Sequence, residues 1–156
     1  MPTSLSVSAL GRPAGGGRLT RSEIITVRLD PKLRFAAEIA SRSQRRTVSS
    51  IVEVAVEAYL AREQVALGAD PDHRVKLMAA VEEIWDVDEA DRFVNLAEKG
   101  RWLLNLGEQR LWKVIRDYFR TEAPLTKTQR KVLRASYAKF VEVAAGRRSE
   151  SELEKT

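Results

Sequence analysis

The segment EIITVRLD, residues 23–30, constrains the fold more than any other part of this sequence. Successive side chains of a β-strand point to opposite faces, and this segment alternates in that way. The two faces carry Ile25, Val27 and Leu29 on one side and Ile24, Thr26 and Arg28 on the other. Nearly everything that follows has helical periodicity, so the strand has no evident partner in its own chain. Because strand edges are rarely left unpaired, we expect it to pair with another molecule.

Two helices are predicted to follow the strand. Asp30 can cap the first, and Pro31 has the fixed φ that suits a first helical position. This helix should end near residues 42–44, and Thr47 should cap a second helix through SSIVEVAVEAYLARE. The alternation V-E-V-A-V also permits a strand. A periodic run of about 15 residues without Gly or Pro is too long for an average strand and favours the helix.

A strand and two helices within about 40 residues are too small a unit to enclose a core alone. Two copies that pair their strands antiparallel across a two-fold axis would satisfy both strand edges and share a four-helix core. The apolar positions predicted to form this dimer core are Ile25, Val27, Leu29, Leu33, Ile51, Ala55 and Tyr59. We therefore predict a homodimer.

The stretch ITVRLDPKLRFAAEIASRSQRRTVSSIVEVAVEAYL resembles the ribbon-helix-helix superfamily of DNA-binding proteins, the MetJ/Arc/CopG type. The resemblance covers residues 23–62. It rests on the alternating strand, the Asp-Pro helix start, the Ala-rich first helix, the Thr-x-Ser-Ser start of the second helix and its closing Ala-x-x-Ala-Tyr-Leu. Family members often carry glycine in the turn between the helices, where this chain has Gln44, Arg45 and Arg46. A residue other than glycine must adopt a left-handed conformation there at modest cost, or the turn must differ.

The resemblance implies that a two-stranded ribbon enters the major groove of double-stranded DNA. Ile24, Thr26 and Arg28 would then face the bases, and Arg28 could bond a guanine bidentately. The start of the second helix would hold phosphate through backbone N–H groups and the positive end of the helix dipole. The residues predicted to contact phosphate are Thr47, Val48, Ser49, Arg45 and Arg46. The helix cap and the turn arginines also fit a purely structural role.

The net charge of +5 is unevenly distributed along the chain. Residues 63–100 carry 10 acidic and 4 basic side chains, whereas the segments on either side are basic. Residues 1–22 contain three arginines, no acid and a Gly15–Gly17 run, which predicts a flexible basic arm. The composition of this leader also resembles a transit peptide, but no persuasive amphipathic helix supports that alternative. The arm residues that could follow a DNA backbone or minor groove are Arg12, Arg18 and Arg21.

The rest of the chain divides at a predicted linker, residues 67–73. The ribbon-helix-helix domain then spans residues 23–66, an all-α domain spans 74–146, and residues 147–156 form a disordered tail. Helices in the second domain are expected at 74–85, at 89–99, at 107–119 and from residue 126 to near 146. The predicted fold class is therefore mostly α.

Four residues mark helix ends in the second domain. Asp88 is expected to cap the helix at 89–99, and Gly100 to end it. Thr126 and Gln129 have the spacing of a capping box for the last helix. These signals are local and do not depend on how the helices pack.

Residues 101–148 carry 12 basic and 4 acidic side chains. Helical spacing would gather several of them into a second basic surface that contacts DNA or an acidic protein. The alternative is an ordinary solvated helix side. The residues of this predicted surface are Arg110, Lys113, Arg116, Lys127, Arg130, Lys131 and Arg134.

Two further features of the second domain have structural explanations. Trp85, Trp102 and Trp112 are predicted to anchor the core, with base stacking as the alternative. EEIWDVDEAD places six carboxylates in ten residues but lacks the glycine and distal glutamate of a calcium loop. Helix capping and a solvated acidic face are expected there, with a basic protein partner as the alternative.

The sequence offers no residues for catalysis or for a cofactor. It contains no cysteine and a single histidine, His73, so disulfides, thiolate chemistry and a metal site built from several His or Cys ligands are excluded. No phosphate loop, Ser-His-Asp set or metalloprotease pattern is present, which predicts no enzyme activity, no cofactor and no metal. No apolar run approaches the roughly 18–20 residues that cross a bilayer. We expect a cytoplasmic protein without a membrane partner.

The leading prediction is a sequence-specific repressor of bacterial, phage or plasmid type, commonly acting on its own promoter. Its partners would be double-stranded DNA and a second copy of itself, with a tetramer on DNA as a further option. The alternative is an adaptor that marks a DNA site while residues 74–146 recruit another protein, as at plasmid transfer origins and partition loci or in antitoxins. An antitoxin usually ends in a segment that folds only on its toxin. The C-terminal region of this chain is expected to fold without a partner, which disfavours the antitoxin alternative.

Overall fold

The computed structural model describes residues 24–153. Six α-helices and one two-stranded sheet make up this part of the chain, so the prediction of a mostly-α fold is confirmed. The elements are α1 (Pro31–Gln44), α2 (Val48–Leu60), β1 (Gln64–Ala66), β2 (Arg74–Lys76), α3 (Leu77–Ile84), α4 (Glu89–Lys99), α5 (Leu106–Phe119) and α6 (Lys127–Ala144). Short 3-10 helices span Arg101–Leu103 and Glu150–Glu152. The predicted arm, with Arg12, Arg18 and Arg21, lies outside the described residues.

Both N-terminal helices begin at the predicted caps. The Asp30 carboxylate accepts hydrogen bonds from the backbone N–H groups of Lys32 and Leu33 at 2.9 and 3.0 Å. The Thr47 hydroxyl accepts from the N–H of Ser50 at 3.1 Å. The segment with the V-E-V-A-V alternation is therefore helical, because the cap and the long periodic run outweigh the strand preference of its valines.

The turn between α1 and α2 forms without glycine. Arg45 has a left-handed backbone, with φ 52° and ψ 42°. Its N–H donates to the carbonyls of Ser41 and Arg42, and the N–H of Arg46 donates to the Ser41 carbonyl at 2.9 Å. This is the hydrogen-bond pattern of a Schellman cap, which ends a helix at a left-handed residue. Of the two open alternatives for this turn, the left-handed one is present.

Arg45→Gly should raise the free energy of unfolding by about 0.5–1 kcal/mol, because glycine adopts the left-handed conformation without a steric cost. The increase in the free energy of unfolding is smaller than the steric cost of a left-handed arginine, because glycine also makes the unfolded chain more flexible. Urea denaturation measures the change. Arg46→Gly is the matched control, because Arg46 has no positive φ and glycine there should destabilise. Equal losses from both substitutions would contradict a strained Arg45.

The core of the C-terminal domain lies among α4, α5 and α6. Its largest fully buried side chains are Val94, Ile115, Leu133 and Phe140, each less than 2 % exposed. Phe140 stacks on Phe119 and meets Tyr118 edge-on. These apolar contacts come from three helices far apart in the sequence and give the domain a core of its own.

The caps of α4 and α6 are those that the sequence indicates. Asp88 accepts from the N–H groups at the start of α4, and Gly100 ends that helix. Thr126 and Gln129 form the predicted capping box at the start of α6. The predicted helices at 89–99, 107–119 and 126–146 are confirmed to within about two residues at each end.

A hairpin replaces the predicted linker. Val65 of β1 pairs with Val75 of β2 in an antiparallel register, and residues 67–73 connect the two strands. The prediction of a helix over 74–85 is wrong at its start, because residues 74–76 form β2 and α3 begins at Leu77. The predicted domain boundary at residue 66 also falls inside the hairpin. Strands of three residues are too short for alternation to be recognised in a sequence.

The predicted disordered tail is wrong for residues 147–153. Leu153 is buried in the core of the C-terminal domain, and the Arg148 guanidinium pairs with the Glu142 carboxylate. A single apolar side chain thus orders a segment whose composition is otherwise typical of a frayed end. Residues 154–156 lie outside the described chain.

Only one of the three tryptophans anchors the core. Trp112 packs against it and meets Phe93 with ring centroids 6.3 Å apart. Trp85 and Trp102 are about half exposed, and an arginine guanidinium lies over each ring, at 4.7 and 5.4 Å from its centroid. The prediction of core anchors is therefore wrong for these two, because cation–π contact rather than core packing holds them.

Candidate nucleic-acid interface

Residues 24–29 lead into α1 without regular secondary structure. None of their backbone N–H and C=O groups is hydrogen-bonded to another described residue. The predicted strand is thus not formed in the described chain, where the two strands present, β1 and β2, pair with each other. Ile25 is 78 % and Val27 is 54 % exposed. Both the backbone and the apolar side chains of the segment are open to a partner.

The helix pair that follows has almost no interior of its own. Ser41 is the one buried residue of α1, and α2 has none. The seven residues predicted to form the dimer core all belong to the described chain, and none is buried in it. Exposed among them are Ile25, Val27, Leu33, Ala55 and Tyr59, while Leu29 and Ile51 are partly buried. An apolar surface of this extent on one unit is typical of an interaction site.

The Tyr59 hydroxyl is held at the end of α2. A hydrogen bond to the Glu63 side chain, together with the charge of that carboxylate, raises the pKa of Tyr59 above its usual value. The Tyr59 ring is exposed beside the other apolar side chains of the helix pair.

The residues predicted to read bases are accessible. Ile24, Thr26 and Arg28 are all exposed, and Arg28 forms no ion pair with another described residue. A free guanidinium can present its planar donor fork to a guanine edge. This availability distinguishes Arg28 from Arg116, Arg130 and Arg134 of the C-terminal domain, which are held in ion pairs.

The start of α2 leaves two backbone donors free. The Thr47 hydroxyl takes the N–H of Ser50, and the N–H groups of Val48 and Ser49 have no partner among the described residues. Arg45 and Arg46 lie immediately before the cap and are exposed without ion pairs in the described chain. Two free N–H groups, the helix dipole and two guanidinium groups together form a site suited to a phosphate.

Two kinds of structural feature are missing from residues 24–153. No helix in this range combines the length and the apolar character that crossing a bilayer requires. Nor does the range contain three or more His, Cys, Asp or Glu side chains arranged to hold a metal ion. No family model, no curated protein and no solved structure matches this chain.

The predicted second basic surface is largely used within the chain. The Arg116 guanidinium donates to the carbonyls of Glu122 and Ala123 and pairs with the Glu122 carboxylate at 2.6 Å. Lys113 pairs with Asp117 at 2.6 Å, and this hydrogen bond raises the pKa of Lys113. These two residues of α5 therefore do not form an open basic face with Arg110.

On α6, two arginines of the same predicted surface form ion pairs with acidic residues of α4. Arg130 donates to Asn95 Oδ1 at 2.9 Å and to Glu98 Oε2 at 2.7 Å, and lies 3.5 Å from Asp91 Oδ1. Arg134 pairs with Asp91 Oδ2 at 3.2 Å. The predicted surface is thereby reduced to Arg110, Lys127 and Lys131, which are exposed.

This buried network was missed although a sequence signal for it exists. Asp91, Asn95 and Glu98 recur at the spacing of one helix face on α4, and Arg130 and Arg134 recur at i, i+4 on α6. Opposite charges on two faces can mark a helix–helix contact as readily as two solvated surfaces. The acidic stretch is thus partly an internal ion-pair site rather than only a solvated face.

Proposed function

We propose that this protein is a homodimeric, sequence-specific double-stranded DNA-binding protein that acts as a transcriptional repressor. Residues 24–29 of two copies would pair as an antiparallel ribbon and enter the major groove. The observation that carries the proposal is the unpaired backbone of this segment beside a capped helix pair with hardly any buried residue. A second copy would supply both the missing hydrogen bonds and the missing core.

The charged groups of the unit support a DNA partner. Arg28 is exposed and would lie opposite the apolar residues in the proposed ribbon, and the start of α2 offers two free N–H groups beside Arg45 and Arg46. In this arrangement Thr26 and Arg28 face the bases while the start of α2 holds the flanking phosphates. Phosphate contacts would position the dimer, and base contacts would give it specificity.

Affinity selection of genomic DNA fragments by the purified protein at physiological salt tests the proposal. We expect enrichment of a site with two-fold related halves, because a symmetric dimer reads a palindrome. Binding that is confined to low salt and shows no enriched site would contradict it.

A DNA-marking adaptor is the second candidate. The observation that favours it is the separate core of α4, α5 and α6, which gives the C-terminal domain a folded surface for another protein. The genomic position of the selected sites separates the two roles. Promoter sites would support the repressor, whereas sites at a transfer or partition locus would support the adaptor.

Arg28→Ala should reduce discrimination between the selected site and single-base variants by about 5- to 150-fold, equivalent to roughly 1–3 kcal/mol for one bidentate base contact. Arg46→Ala is the matched control and should weaken binding to all duplexes alike. It should also lower the slope of log affinity against log salt by about 0.9 for each phosphate that the variant no longer neutralises. Fluorescence anisotropy with matched and altered duplexes measures both effects. An unchanged base preference in Arg28→Ala would rule out the proposed readout.

A further inference from the structure

Helix α1 carries a second apolar stripe that the proposed dimer core does not use. Phe35 and Ile39 are 58 % and 49 % exposed, and the exposed cations Lys32 and Arg42 lie at the two ends. At about 100° per residue, these four positions fall within one narrow sector of the helix. We refer to these four residues as the α1 stripe.

The α1 stripe lies opposite the packed side of its helix. Ala37 and Ala40 are partly buried and Ser41 is fully buried, and these positions fall on the other half of the helical wheel. Leu33, the α1 residue of the predicted dimer core, belongs to that same half. Pairing of two copies through the ribbon would therefore leave the stripe uncovered.

A groove of about 470 Å³ lies on the C-terminal domain where the hairpin and α3 meet α4. Apolar side chains from these elements form its floor, and Trp85 is among the residues that line it. We refer to it as the hairpin groove. Its apolar lining includes Val65, Leu77, Val81, Ile84, Leu96 and Leu103.

The charge of the hairpin groove is negative. Glu89 and Glu108 line it, and Arg92 is the one cation among its described lining residues. The Arg92 guanidinium lies over the Trp85 ring and donates to the Asp86 carbonyl at 2.9 Å, contacts with neutral groups that leave its positive charge in place. Burial raises the pKa of Tyr137 at the same groove, and the two carboxylates raise it further. With two carboxylates and one guanidinium the groove keeps a net negative charge, and Glu108 also accepts the Asn105 N–H at 2.8 Å in the capping box of α5.

We propose that the hairpin groove of one molecule binds the α1 stripe of a second copy of this chain. Phe35 and Ile39 pack on the apolar floor, and Lys32 and Arg42 face Glu89 and Glu108. The two surfaces are complementary in shape and in charge. The α1 stripe has an apolar centre between two cations, and the hairpin groove has an apolar floor beside two carboxylates. The stripe is exposed in the described chain, so its own groove does not hold it.

This contact is separate from the ribbon pairing and goes beyond the proposed function. It joins two different surfaces, whereas ribbon pairing joins one surface to itself. Because the α1 stripe and the dimer core lie on opposite sides of α1, one molecule can make both contacts at once. The C-terminal domain thereby serves as an assembly module for copies of the same protein.

Cysteine cross-linking tests the contact directly, because the chain contains no cysteine. A preparation of Ile39→Cys is mixed in equal amounts with one of Val81→Cys and treated with a short bis-maleimide in the absence of DNA. We expect a covalent pair of chains joining the two labelled positions. Arg34→Cys mixed with Val81→Cys is the matched control, because Arg34 is exposed on the same helix about 100° away from Phe35. The Ile39 mixture should give at least about tenfold more of the mixed product than the control.

A second experiment separates this contact from DNA binding. Ile39 is exposed, and Ile39→Asp should weaken self-association beyond the ribbon dimer by at least about tenfold in sedimentation equilibrium. The reason is that the substitution places a carboxylate in an apolar groove that already carries negative charge. The same variant should bind a duplex that carries one selected site as the parent protein does. Failure to obtain the mixed cross-link, or unchanged association of Ile39→Asp, would overturn the proposal whether or not the protein reads DNA. Loss of DNA selection with the cross-link retained would overturn only the proposed function.

Discussion

Val27→Glu should disperse the dimer and lower its affinity for the selected DNA site by more than about 100-fold. In the proposed ribbon, Val27 lies on the apolar face that covers the shared core. The two-fold axis would place two carboxylates in that core, where an unpaired charge is strongly unfavourable. A cost of about 3 kcal/mol in dimerisation corresponds to roughly 150-fold in the association constant. Sedimentation equilibrium measures the dimer, and fluorescence anisotropy measures DNA affinity.

Ile24→Glu is the matched control for this prediction. Ile24 belongs to the same segment, would lie on the opposite face of the proposed ribbon and is almost fully exposed in the single chain. The same substitution there should leave the dimer intact and weaken only DNA binding, because the new carboxylate faces the phosphate-rich groove. Because the stripe–groove contact could also join two chains, the comparison is made with Ile39→Asp present in both variants, and a normal dimer mass for Val27→Glu in that background would rule out the ribbon as the dimer contact.

Arg130→Ala should lower the free energy of unfolding of the C-terminal domain by about 3 kcal/mol. The Arg130 side chain is mostly buried between α4 and α6 and bonds Asn95, Glu98 and Asp91. Removing one partner of a buried ion pair leaves the other charge without compensation, which is the costly case. Glu98 would lose its ionic partner, whereas Asp91 would keep Arg134.

Urea denaturation of Arg130→Ala beside Lys131→Ala measures this effect. Lys131 is the next residue of α6, is exposed and forms no ion pair with another described residue. Its replacement should change the free energy of unfolding by no more than about 0.5 kcal/mol. Similar small changes for both variants would mean that the α4–α6 network does not stabilise the domain.

Helix boundaries could be predicted because their signals are local. Asp30, Thr47, Asp88 and Thr126 each bond backbone N–H groups two or three residues further along, so the cap and its helix lie in one short segment. The backbone conformation of the turn at Arg45 was harder to predict from the sequence. Both a left-handed arginine and a different turn were compatible with the residues, and the difference in energy between them is small.

Local signals could not predict which basic residues of α5 and α6 form ion pairs within the chain and which do not. Spacing places Lys127, Arg130, Lys131 and Arg134 on overlapping faces of one helix. Only the approach of α4 pairs Arg130 and Arg134 with Asp91, whereas Lys127 and Lys131 form no ion pair with another described residue. The same charge pattern would have suited a nucleic-acid surface. Within the isolated helix, the exposed basic surface and the ion-paired contact with α4 do not differ in free energy.

By itself, the sequence determined the helical class, the capped ends of most helices and the apolar side chains that the N-terminal helix pair leaves exposed. These properties follow from hydrogen bonds and side-chain periods that act over a few residues. The tertiary structure alone decided the hairpin at 64–76, the burial of Leu153 and the half-exposed positions of Trp85 and Trp102. Each of these depends on contacts between segments far apart in the chain, whose energies no local pattern records.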